Sequence, residues 1–207
     1  AVALGGVRMS LGATIWKALG SWFAIVTGGS IGREGPLIQF GAALGSKIGL
    51  TFRISELRTR ALIAAGTGAG FAAAYNTPFA AVLFVVEVFT GVAALGIVLP
   101  TLIAVAIATA LTRYFVGAGP IYGQHAFAMT SQSELLVHLV LGALAGLAGV
   151  AFMKLLAVSE SAFGRLKTGR PFRAALGGLL VGLMACVLPT VTGNGYEAIG
   201  LILGGNL

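Results

Sequence analysis

The chain has 207 residues, 57% apolar and only 9% charged, with a formal net charge of +7 and a mean hydropathy of +0.99. Soluble domains carry about a quarter charged residues, so this composition excludes a soluble globule and specifies an integral membrane protein. Two histidines, one cysteine and no aspartate leave little material for a hydrolytic triad, a metal centre or a disulfide. The expectation is therefore a non-enzyme with no catalytic residues, no metal and no cofactor.

The basic excess sits between apolar runs, in the clusters Arg53, Arg58, Arg60 and Arg165, Lys167, Arg170, Arg173. It reads as loop and headgroup anchoring rather than a nucleic-acid face. At the N-terminus, Ala1–Gly6 is too short for a signal core and is interrupted by Arg8. The first apolar segment covers 11–31. Between Lys17 and Lys47 the only charged side chains are Arg33 and Glu34, in Gly32-Arg33-Glu34-Gly35-Pro36. Ionisable residues inside apolar spans are costly and usually line a polar path.

Gly35 permits close backbone approach, and Pro36 suits the first position of a helix because it has no N–H to leave unpaired. The apolar segment 36–50 is that helix. Its start offers unpaired amides and a partial positive charge, which is an anion site. Glu34 at its mouth reads as a titratable gate: ionised, it occupies the positive helix end, and neutral, it leaves room for a halide. The alternative is a carboxylate paired with Arg33 or reaching to a headgroup.

Further apolar segments cover 61–75, 78–91 and 92–112, and from Ala61 to Thr112 the only charge is Glu87. Several are shorter than the ~20 residues of a straight crossing. Short, broken helices at membrane depth belong where they line a cavity or are buried in protein. Gly66-Thr67-Gly68-Ala69-Gly70 lacks the preceding strand and following acid of a dinucleotide loop, so it reads as tight helix packing. Gly142, Gly146 and Gly149 read likewise. Asn76 is placed as an N-cap and Pro78 as an early helical residue. For Glu87, a buried carboxylate capping helix termini and a transport role both stand.

The polar loop 117–133 lacks Lys and Arg, whereas 164–173 is basic. The positive-inside bias therefore puts the first outside and the second in the cytoplasm. Between them, 135–163 is long enough to span at a strong tilt. Segments 174–188 and 198–203 complete the chain, while His125 and His138 mark a loop and a helix entrance. The abrupt ends read as those of a piece of a longer protein.

Gly32-Arg33-Glu34-Gly35-Pro36 followed by Leu37-Ile38-Gln39-Phe40-Gly41-Ala42-Ala43-Leu44-Gly45 resembles the second anion-site signature of the CLC chloride channel and chloride/proton antiporter family. About forty residues on, Ala72-Ala73-Ala74-Tyr75-Asn76-Thr77-Pro78 through Leu83-Phe84-Val85-Val86-Glu87 resembles that family's Phe-Asn-x-Pro…Leu-Phe-x-x-Glu segment. The resemblance implies an all-α, polytopic membrane protein of tilted and broken helices with part of an inverted-repeat architecture. The whole of 1–207 would be one partial transmembrane domain, with most of a first repeat at about 1–115 and the opening of a second at about 131–207. It also implies a homodimer in a lipid bilayer, multi-pass in the plasma or inner membrane. Chloride would be the transported ligand, with other halides or small anions as further candidates.

By the same resemblance Glu34 matches the external gating glutamate, and the backbone amides around Arg33, Glu34 and Gly35 help form the outer chloride site. Gly32, Pro36, Asn76 and Pro78 support the helix starts. The family's Gly-x-Gly-x-Pro loop would precede Ala1, and its Gly-x-Phe-x-Pro loop and pore tyrosine would follow Leu207. Proton-coupled members often carry a second glutamate after the position of Glu87; here it is Val88, which cannot titrate. The reading therefore leans to a passive voltage- or pH-gated channel, with chloride/proton exchange and a non-transporting helical scaffold as alternatives. Pro36 favours the chloride-type signature over that of the fluoride-exporting branch.

Overall fold

The computed structural model describes residues 6–91, 94–119, 122 and 131–205. His125 and most of the predicted loop 117–133 lie outside them. Every regular element among the described residues is helical, as expected. Two helices, Leu95–Phe115 and Glu134–Arg165, are long and apolar enough to cross a membrane by length and composition. The chain divides into one unit of 1–124 with 189–207 and a second of 125–188.

In the first unit, α1 (Leu11–Val26) starts where the Ser10 hydroxyl accepts the Ala13 amide at 3.3 Å. It ends before the predicted residue 31. The Thr27 hydroxyl turns back to donate to the Phe23 carbonyl, and Gly28 takes a left-handed φ of 88°. A second helix, α2 (Glu34–Thr51), begins two residues earlier than predicted, so Pro36 is its third residue rather than its first. No first-turn amide has an intrahelical acceptor, which is why proline is tolerated there too.

Helix α3 (Glu56–Tyr75) reaches back into the basic cluster. Glu56 suits the positive helix start and pairs with Arg60 one turn on at 2.7 Å. The two helices run antiparallel, with their backbones in contact. A Cβ on Gly41 would stand 2.0 Å from the Gly66 carbonyl oxygen, and one on Gly66 would stand 2.0 Å from that of Gly41. Gly45 meets the Leu62 carbonyl in the same way, and Gly70 that of Leu37. Helix packing is therefore what Gly66 and Gly70 serve. Between them Gly68 admits Thr101, Val105 and Val85.

Asn76 does not cap the following helix. It ends α3 in the left-handed conformation at φ 55°, which its short polar side chain tolerates. Thr77 takes the N-cap position and Pro78 is the first residue of α4 (Pro78–Phe84). The Asn76 amide donates to the Ala118 and Gly119 carbonyls at 3.2 Å each, and its Oδ1 accepts from Arg113 Nε at 2.9 Å. Helix α4 runs on into a π-helical turn, Val85–Thr90, closed by Gly91. Glu87 lies in this turn with its side chain exposed, not buried. Val85, at 0% exposure, supplies the inward face, and two residues on the chain points the other way. Helix α5 (Leu95–Phe115) presents Thr101, Val105 and Thr109 as a buried stripe, Thr101 satisfying its hydroxyl on the Ile97 carbonyl.

In the second unit, α6 (Glu134–Arg165) has 32 residues, about 48 Å at 1.5 Å each, well beyond a ~30 Å hydrocarbon core. A Cβ at Gly142, Gly146 or Gly149 would meet nothing within 4 Å. The packing expected of them is not made within the second unit. A short turn leads to α7 (Arg170–Val187). Arg173 is not a free anchor there, because its guanidinium donates to the Thr168 and Leu166 carbonyls and closes the turn. The first unit's final helix is α8 (Tyr196–Leu203).

Overpacking a closed contact costs about 1–3 kcal/mol. Gly66→Ala in the full-length protein should lower the thermal midpoint in detergent accordingly. Asn76→Ala should lose about 2 kcal/mol through the left-handed backbone and the unpaired Arg113 and carbonyls. Asn76→Gly should recover only the backbone share, as read by the same melting measurement.

Candidate functional site

The α2 start projects from the outer edge of the α2–α3 contact. Arg33 holds the N-cap position, and among the described residues no carbonyl accepts the amides of Arg33, Glu34 or Gly35. These groups and the helix dipole make the mouth positive. The Glu34 side chain leans back over Gly32, where a Cβ would come within 2.2 Å of Oε2. The close approach is thus at Gly32. At Gly35 a Cβ would meet nothing within 4 Å, contrary to the expectation that Gly35 is needed for it.

The partner of Glu34 comes from far along the chain. The turn 189–195 docks on the turn after α1: Gly193 N–H donates to the Gly28 carbonyl at 3.2 Å, and the Ser30 hydroxyl donates to the Val191 carbonyl. Gly195, left-handed at φ 73°, then starts α8. This brings Tyr196 Oη to 2.7 Å from Glu34 Oε1, to which it donates. The face of the same ring carries the Arg33 guanidinium, 5.2 Å from its centroid, within cation–π range. The neighbours Arg33 and Glu34 are thereby held on different parts of one phenol. Among the described residues the only ion pair within 4 Å is Arg60–Glu56, so the alternative that Glu34 pairs with Arg33 is not realised.

A cavity of about 410 Å³ opens beside this cluster, with Glu34, Tyr75, Tyr122, Asn194 and Tyr196 in its walls. Asn194 Oδ1 is shut from solvent there without a hydrogen-bond donor. A second cavity of about 550 Å³ has Arg33, Asn76, Thr112 and Tyr196 among its walls. A carboxylate with a hydroxyl holding it on one side and free amides on the other can change position with little movement of backbone.

Of the predicted residues, Gly32, Arg33, Glu34, Gly35 and Pro36 come together at the α2 start, and Asn76 reaches the Arg33 cavity. Pro78 stands at the head of α4. Glu87 and Val88 line neither cavity; Val88 is 68% exposed. Tyr196, Asn194 and Tyr122 were not predicted. The one available signal was Gly193-Asn194-Gly195-Tyr196, a glycine-bracketed polar turn before an apolar run.

The profile of the family described as "Voltage gated chloride channel" matches residues 1–207. The "Voltage-gated ClC-type chloride channel ClcB" of Salmonella typhimurium is 35% identical over 193 residues, which is 93% of this chain and 46% of that protein. A slow cyanobacterial Cl−/H+ antiporter superposes with a TM-score of 0.77 at 28% identity, over 92% of this chain and 46% of the other. A CLC-type fluoride/proton antiporter gives 0.84 at 26% identity, over 98% and 52%. The chain thus spans about half the length of the relatives it matches, and with a family profile covering its whole sequence it belongs to the voltage gated chloride channel family.

Proposed function

We propose that the full-length protein moves chloride across a membrane, with the Glu34 carboxylate as its gate and the amides of Arg33, Glu34 and Gly35 as an anion site. The observation that carries this reading is the hydrogen bond from Tyr196 to Glu34 beside unaccepted helix-start amides. A carboxylate bound by a neutral hydroxyl can leave it, whereas one bound in an ion pair with Arg33 would be anchored. Ionised Glu34 competes with an anion for the positive helix end; neutral Glu34 does not. Supporting roles fall to Gly32, which makes room for the side chain, and to Asn76, which fixes the α3–α4 junction near Arg33.

Two modes of transport compete, and each has an observation behind it. Val88 offers no titratable group next to Glu87, which favours passive conduction, as does the name of the Salmonella relative. Both of the superposed structures described above are antiporters by name, which favours coupled exchange. Assembly as a homodimer in the plasma or inner membrane belongs to the same proposal, as does the division into repeats at about 1–115 and 131–207.

Reconstituted in liposomes, the full-length protein should pass chloride, with flux rising as external pH falls. Glu34→Gln should make that flux largely independent of external pH; an unchanged pH profile places the sensor elsewhere. Chloride movement that drives protons uphill identifies exchange, and its absence identifies conduction. Bromide soaked into crystals of the full-length protein should give anomalous density at the Arg33–Gly35 amides. An empty helix start at saturating bromide overturns the anion site.

A further inference from the structure

We propose that Tyr196 is a positioning residue for the gate, its hydroxyl parking the ionised Glu34 carboxylate clear of the α2 amides. This rests on the reading of Glu34 as the gate, and it explains how the anion site can stay accessible while Glu34 still carries its charge.

An ionised carboxylate at this place has two homes. One is its own helix start, with the free amides of Arg33, Glu34 and Gly35 and a partial positive charge. The other is the Tyr196 hydroxyl, which it occupies here at 2.7 Å. That length suits a neutral O–H donating to a carboxylate, a bond roughly twice as strong as one between neutral groups. Gly32 has no Cβ to obstruct the side chain as it leans toward Tyr196.

Tyr196 is itself well placed to hold. Its helix is started by left-handed Gly195, and the preceding turn is bonded to Gly28 and Ser30 on the approach to α2. The other charged or titratable groups around Glu34 are Arg33 at the α2 N-cap, Tyr75 at the end of α3 and Tyr122 beyond α5. Arg33 lies over the Tyr196 ring rather than on the carboxylate. Among the described residues Tyr196 is the side chain that hydrogen-bonds Glu34.

Tyr196→Phe removes the hydroxyl and keeps the ring, its packing and the Arg33 contact. In liposomes carrying the full-length protein, this variant should lose chloride flux about tenfold at alkaline external pH, the scale of one charge-assisted hydrogen bond. Flux at acid pH should change little. The double variant Glu34→Gln/Tyr196→Phe should match Glu34→Gln alone at every pH. A structure of Tyr196→Phe should show the carboxylate moved onto the α2 amides.

Wild-type alkaline flux in Tyr196→Phe, with Glu34→Gln still flat in pH, overturns the positioning role and leaves the gate standing. An equal loss on the Glu34→Gln background also overturns it, since the hydroxyl would then serve the fold. A carboxylate unmoved in the Tyr196→Phe structure does the same. A normal pH profile in Glu34→Gln removes the gate itself and Tyr196's role with it.

Discussion

The contact that everything else depends on is the one between the backbones of α2 and α3. Gly41 and Gly66 each occupy the place where the other's side chain would be, with Gly45 and Gly70 continuing the row. In lipid the hydrophobic effect does not drive helices together, so close approach and short-range attraction must. Carbonyl oxygens laid on Cα atoms add about 0.5–1 kcal/mol each. Such a contact tolerates almost no lateral play, because there is no side chain to adjust. A rigid pair of helices is the result, and the α2 start projects from it in a fixed place.

From that fixed point the surrounding pieces are tied on by polar groups, each satisfied by its neighbour. Asn76 closes α3 and holds the end of α5 through Arg113 and two carbonyls. Thr101 and Gly68 let α5 approach from the other side. The turn 189–195 is bonded to the turn after α1, which sets Tyr196 against Glu34. The site is thus a closely packed helix pair presenting the Glu34 side chain, with its surroundings held by backbone and side-chain hydrogen bonds.

Much of this was legible in the sequence, and the boundaries show why some was not. Apolar runs marked every helix because a bilayer demands them. Charge was a poor boundary marker, since Glu56 and Arg60 stabilise the start of α3 instead of excluding it. Asn76 looked like an N-cap because asparagine suits both helix ends, and only the backbone shows which it serves. Glu34 stood out because a lone acid in an apolar run is costly. Tyr196 did not, because an aromatic residue beside an apolar segment is unremarkable until its hydroxyl is seen 162 positions away from its acceptor. Glu87 faces outward because the π-helical turn commits Val85 to the interior.

That separation has a consequence for biosynthesis. At about 5–20 residues per second, roughly 8–30 s pass between the ribosome adding Glu34 and adding Tyr196. For that interval the nascent membrane segment carries an acid whose hydroxyl partner does not yet exist. The α2–α3 pair, complete by Tyr75, can form meanwhile. Completion of the site therefore waits on the arrival of the 189–196 turn and is not set by the segment that bears the acid.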